Sequence, residues 1–74
     1  MPKSPNRDEI DSMMNKAIKA RTSEEANSII DKLGKYGEDA VYAMEEVVNR
    51  TKFEQVRAHG LEVIRDAKRA DTQF

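Results

Sequence analysis

Cysteine is absent from the 74 residues, so no disulfide or thiolate metal site can staple the chain and no thiol nucleophile is available. Histidine occurs once, at His59, which leaves no second imidazole to share a metal. No apolar run approaches the roughly 18 residues of a membrane span, and none resembles the core of a signal peptide. A charge of one sign is missing too: 13 Lys and Arg oppose 14 Asp and Glu, with the signs interspersed along the chain. That balance argues against a protein that coats DNA, which is usually strongly basic. β-Branched residues are few and no segment alternates apolar with polar over a useful length, so strands are not expected. A small, cysteine-free chain that relies on packing alone fits a soluble protein of the reducing cytoplasm.

What is present is helical periodicity in four segments. Ile10, Met13, Met14, Ala17 and Ile18 form the first stripe, and Ala26, Ile29, Ile30 and Leu33 the second. Ala40, Ala43, Met44, Val47 and Val48 form the third, with Val41 at its edge; Phe53, Val56, Gly60, Val63, Ile64 and Ala67 form the fourth. Asn6 with Glu9, Thr22 with Glu25 and Thr51 with Glu54 all have capping-box spacing, in which a side-chain oxygen accepts from a backbone N–H three residues on. Gly34 and Gly37 read as the stop of the second helix, and the acidic Glu38 and Asp39 as the first turn of the third. Short connections make sequential helices antiparallel. The expected fold is all-α, four antiparallel helices arranged as two stacked helical hairpins. It forms a single domain over residues 6–70, with hairpins over about 7–36 and 38–69 and frayed tails at 1–5 and 71–74. A domain this small buries only about 60% of its unfolded surface and is expected to be marginally stable.

A shift of 30 residues lays the second half on the first: Met14 on Met44, Ala17 on Val47, Ile18 on Val48, Glu24 on Glu54, Ala26 on Val56 and Leu33 on Val63. Any two amphipathic hairpins of similar length can align in this way, so the period alone does not establish a duplication. The second hairpin is more specific. Leu33-Gly34-Lys35-Tyr36-Gly37-Glu38-Asp39-Ala40-Val41, then Met44, Val47-Val48 and Glu54-Gln55-Val56-Arg57-Ala58, resembles a HEAT-type, armadillo-like helical repeat over residues 33–67. The resemblance implies an α-α superhelix and a scaffold or binding surface, without a particular partner. The chain departs from that pattern in the turn Asn49-Arg50-Thr51-Lys52, in carrying Asn27 where the second hairpin has Arg57, and in having two repeats where three are usual.

Individual residues sharpen the functional reading. Arg57 flanks the apolar stripe and is expected to tie helices together through a loop carbonyl or through Glu38 or Asp39. Gly60, in mid-stripe, implies close approach of another helix or a kink. Tyr36 is expected to cover the junction between hairpins and Phe53 to plug the start of the fourth helix; Phe74 is too terminal to interpret. Adjacent acids at Glu24-Glu25, Glu38-Asp39 and Glu45-Glu46 point about 100° apart on a helix and several suit helix starts, so catalysis is not expected and no cofactor or metal is called for. Tyr42, placed away from the third stripe, and the boundary residue His59 are the candidate protein-binding residues. Arg50, Lys52, Arg65, Lys68 and Arg69 are the alternative, a phosphate-contacting patch, although Glu62 and Asp66 stand at ion-pair spacing from it. The expected function is therefore a non-enzymatic interaction module binding another protein or a copy of itself, with nucleic acid as the alternative partner and no membrane role.

Overall fold

The first helix, α1 (Arg7–Ile18), turns through Ala20 into α2 (Ser23–Gly34). A single 3₁₀ turn, Gly37–Ala40, leads into α3 (Val41–Arg50), and α4 (Glu54–Thr72) completes the chain. This computed structural model describes residues 7–72, with side chains through Arg69. The expected cap at Asn6, the tail at 1–5 and Phe74 lie outside the described residues. Helix α4 continues through Thr72, beyond the expected end of the domain at 70.

Local chemistry accounts for the boundaries. Thr22 caps α2 as its spacing predicts, its Oγ1 accepting from the Glu25 N–H at 3.1 Å. Thr51 behaves differently from expectation. It is nearly buried at the end of α3, and its Oγ1 accepts from the Phe53 N–H at 3.1 Å, a side-chain turn that steers the chain toward α4. The carbonyl of Phe53 then accepts the first N–H groups of α4, from Val56 and Arg57. Glu38 and Asp39 sit in the 3₁₀ turn and not in α3, because Gly37 takes φ 67° and re-aims the backbone before the α-helix begins at Val41. Val41, placed at the edge of its stripe by the sequence, is buried.

Consecutive helices pack as hairpins, α1 on α2 and α3 on α4, and the hairpins stack α1 on α3 and α2 on α4. Contacts across the α2/α4 seam fix its direction. Asp31 meets His59, Ile30 meets Gly60 and Gly34 meets Val63, at separations of 28, 30 and 29 residues. A constant separation means that α2 and α4 run parallel, as they must when one antiparallel hairpin is laid on another. Ile10, Ile30, Leu33, Met44, Val47 and Val56 are fully buried between the two layers. Each such side chain contributes on the order of 2 kcal/mol by leaving water.

The thirty-residue shift is visible in the burial pattern. Residues 23–32 of α2 and 53–62 follow the same order of exposed, half-buried and buried positions, with Ala26 and Val56 buried, and again Ile30 and Gly60. The two helices thus present corresponding faces to their surroundings.

Gly60 sets how closely the helices approach. A Cβ there would stand 2.5 Å from Val48 Cγ2 on α3 and 3.3 Å from Ile30 Cδ1 on α2. Gly34 has the same role at the other end of the seam, where a Cβ would come within 2.6 Å of Val63 Cγ1; it is the last residue of α2 and a packing position, while the left-handed turn falls to Gly37. Helix propensity favours Ala over Gly by about 1 kcal/mol in a helix interior. Gly60→Ala is nevertheless expected to destabilise the protein by about 1–3 kcal/mol in urea unfolding, since the β-branched Val48 cannot rotate away freely. Adding Val48→Ala should recover part of that overpacking loss. Gly37→Ala meets no atom within 4 Å and should cost about 1 kcal/mol through backbone conformation alone.

Candidate functional site

Parallel stacking of α1 on α3 leaves an open groove between them with a volume of about 670 Å³. Met14 and Ile18 give it an apolar floor, while Arg7, Asp11, Tyr42, Glu46 and Arg50 line its sides. Tyr42 is exposed, as its place off the apolar stripe predicts, but its side chain is held by partners on α1. Its hydroxyl donates to Asp11 Oδ1 at 2.5 Å, and the Arg7 guanidinium lies over the ring, 4.6 Å from its centroid. Arg7 also pairs with Asp11 at 3.5 Å, so the three side chains lock one another. Tyr42 nevertheless remains 36% exposed. Further along the groove, Arg50 pairs with Glu46 one helical turn before it.

Partial burial, and then the hydrogen bond and charge of Asp11, push the Tyr42 phenol up to about 12, against the smaller opposing effect of Arg7. Tyr36 is shifted in the same direction through its hydroxyl, which donates to Glu9 Oε1 at 3.0 Å. That bond ties the end of α2 back to α1, and the half-buried ring packs on the core beside the junction between hairpins, its expected place.

His59 lies on the other seam, half-buried as expected. Its Nε2 donates to Asp31 Oδ1 at 2.6 Å and joins α4 to α2. His59 is on α4 and Tyr42 on α3, 17 residues apart along the chain and on different layers of the stack, and nothing brings the two candidate binding residues together.

The basic residues separate into two groups. Arg50 and Lys52 flank the α3–α4 turn, whereas Arg65, Lys68 and Arg69 lie 11–15 residues beyond the start of α4. At 1.5 Å per residue, that distance is about 17–22 Å along the helix. Lys68 reaches Glu45 on α3 at 3.6 Å, and Arg65 lines a shallow surface with His59, Leu61 and Glu62. The adjacent acids diverge as helical geometry requires: Glu45 turns to Lys68 and Glu46 to Arg50. Among the described residues no three acids, histidines or cysteines gather as a metal site would require. No described helix is long and apolar enough to cross a membrane.

Arg57 donates to the Thr51 carbonyl at 3.2 Å and pairs with Glu54 at 3.1 Å. The expected loop carbonyl is there, but its acidic partner is Glu54, not Glu38 or Asp39, because Arg57 closes the turn of its own hairpin. Phe53 is half-buried against the core at the head of α4, as expected. The sequence reading missed Arg7 and Asp11. Their spacing of four on α1 marks an ion pair but gives no hint of an aromatic partner 31 residues on.

A pH titration of tyrosine absorbance should show Tyr42 ionising near pH 12. Its raised value means that the contribution of the neutral phenol to stability is complete below about pH 10 and is lost as pH rises through 12. Asp11→Asn should move the midpoint down only part of the way, because burial is the larger cause. Against these surfaces stands the outcome of comparison with known proteins: no family model, curated protein or solved structure matches the chain.

Proposed function

We propose that the chain is a small, non-enzymatic helical-repeat module of the cytoplasm that acts by binding another protein or a copy of itself. The observation that carries this reading is the α1/α3 groove, where Arg7 and Asp11 hold a part-exposed Tyr42 above an apolar floor. Tyrosine and arginine are the side chains most enriched in interface hot spots, and a ring already fixed loses little freedom on binding. The HEAT-type resemblance of residues 33–67 supports the same reading, since it implies a stacked scaffold. Of the residues that carry it, Leu33 lies in the core, Gly34 at a close approach of two helices and Arg57 at a hairpin turn.

Selection of peptide ligands from a randomised display library tests the proposal. Selected peptides are expected to lose at least tenfold in affinity for Tyr42→Ala and for Arg50→Glu, with helix content unchanged. Peptides indifferent to both substitutions would remove the groove from the proposal. Titration with duplex and single-stranded DNA and RNA at two salt concentrations addresses the alternative: little binding is expected. Salt-sensitive binding abolished by Arg65→Glu with Arg69→Glu would replace the protein-binding reading with a nucleic-acid one.

A further inference from the structure

The α1/α3 groove has two chemically different ends. At one, Asp11 and Arg7 hold Tyr42, and the three side chains satisfy one another. The other end is formed by Asn15, Lys19 and Arg50. Arg50 gives its Nε to Glu46, and no hydrogen bond takes its two Nη groups. Lys19 Nζ and the Asn15 amide have no hydrogen-bond or ion-pair partner among the described residues. A cation suits the carbonyl end of a helix, and α1 and α3 both finish here. Their donors still line an open groove, where a carboxylate would take them in charge-assisted bonds, bidentate on Arg50.

Charge favours the same ligand across the surface. The protein carries a formal charge of −1, yet the groove holds Arg7, Lys19 and Arg50 against Asp11 and Glu46. The positive excess falls at the Lys19/Arg50 end. On the other side of α1, a depression over Met13 and Tyr36 has the opposite balance, Asp8 and Glu9 against Lys16. An acidic ligand is drawn to the first surface and repelled by the second.

The floor decides between kinds of anion. Met14 and Ile18 are half-buried and offer a seat to apolar side chains, which a phosphodiester backbone lacks. A nucleobase would stack on Tyr42, but Arg7 already covers one face of that ring. What fits is acidic and apolar at once.

We infer that the groove takes a short acidic peptide segment of another protein, its Asp or Glu carboxylates on Lys19, Arg50 and Asn15 and its apolar side chains on Met14 and Ile18. The inference rests on the interaction-module reading and adds the partner's chemistry and the end at which its acids lie. From Arg7 to Lys19 the groove follows α1 for about 18 Å, the span of about five or six residues of extended chain.

Selection from a randomised short-peptide display library tests it on the full chain. Wild-type protein is expected to enrich peptides in which Asp or Glu accompanies large apolar residues. Lys19→Glu with Arg50→Glu should turn the preference to Lys and Arg. A synthetic peptide of the wild-type consensus should bind at least tenfold more weakly to Lys19→Gln with Arg50→Gln. Lys16→Glu makes the same change in net charge outside the groove and should leave affinity within twofold. All three positions are exposed, so helix content by circular dichroism should hold. Peptides that depend on Tyr42 but show no acidic bias, or that Lys16→Glu weakens equally, overturn the inference and leave the groove reading standing. If no peptide responds to Tyr42→Ala or to Arg50→Glu, both readings fall. A single-stranded oligonucleotide bound more tightly than the peptide through Lys19 and Arg50 would overturn the inference in favour of nucleic acid.

Discussion

The approach of three helices at Gly60 is the constraint on which the rest of the structure depends. With hydrogen in place of a methyl group, α4 lets Val48 from α3 and Ile30 from α2 meet over its backbone. That meeting places both partners of α4 at once, and the α2/α4 contacts fix the parallel course of the two helices. From it follow the His59–Asp31 pair along one seam and, on the other layer, the groove in which Arg7 and Asp11 trap Tyr42. A chain of 74 residues has little apolar surface to spend, and a tight central contact increases the dispersion energy each buried side chain gains.

The fold was largely legible because helices announce themselves locally. Stripes at helical spacing found all four, Thr22 marked the start of α2, and the thirty-residue shift anticipated the matching burial of Ala26 with Val56. Errors came where one backbone torsion or one side-chain bond decides the path. The left-handed Gly37 inserts a 3₁₀ turn ahead of α3, and the Thr51 hydroxyl accepts from the Phe53 N–H instead of from the Glu54 N–H that its capping-box spacing predicts. Both sites carried the right residue types, but spacing alone does not say which of two nearby N–H groups an oxygen will take.

The candidate site was legible only in part. Tyr42 could be singled out because it leaves the apolar stripe, yet its partners come from a helix 31 residues earlier and are set by the stacking of hairpins. The basic residues looked clustered because they are close in sequence, whereas a straight helix carries Arg65 far from Lys52. Asn27 offers a further contrast. It corresponds to Arg57 under the thirty-residue shift, but its Oδ1 is buried with no hydrogen-bond partner, where Arg57 binds a carbonyl and a carboxylate. The first hairpin therefore lacks the turn-closing bond of the second.

Stacking in register also bears on how fast the protein reaches its native state. Helices α1 and α4, the two ends of the chain, scarcely meet, and the pairs that join the hairpins are about thirty residues apart. No step requires the full length of the chain to be closed into a loop before favourable contacts form. Helices that nucleate locally, paired as sequence neighbours, are the features of helical domains, whose folding typically falls in the microsecond-to-millisecond range. Hairpin 2 holds its turn closed through Arg57, a bond between residues only six apart that can form without hairpin 1.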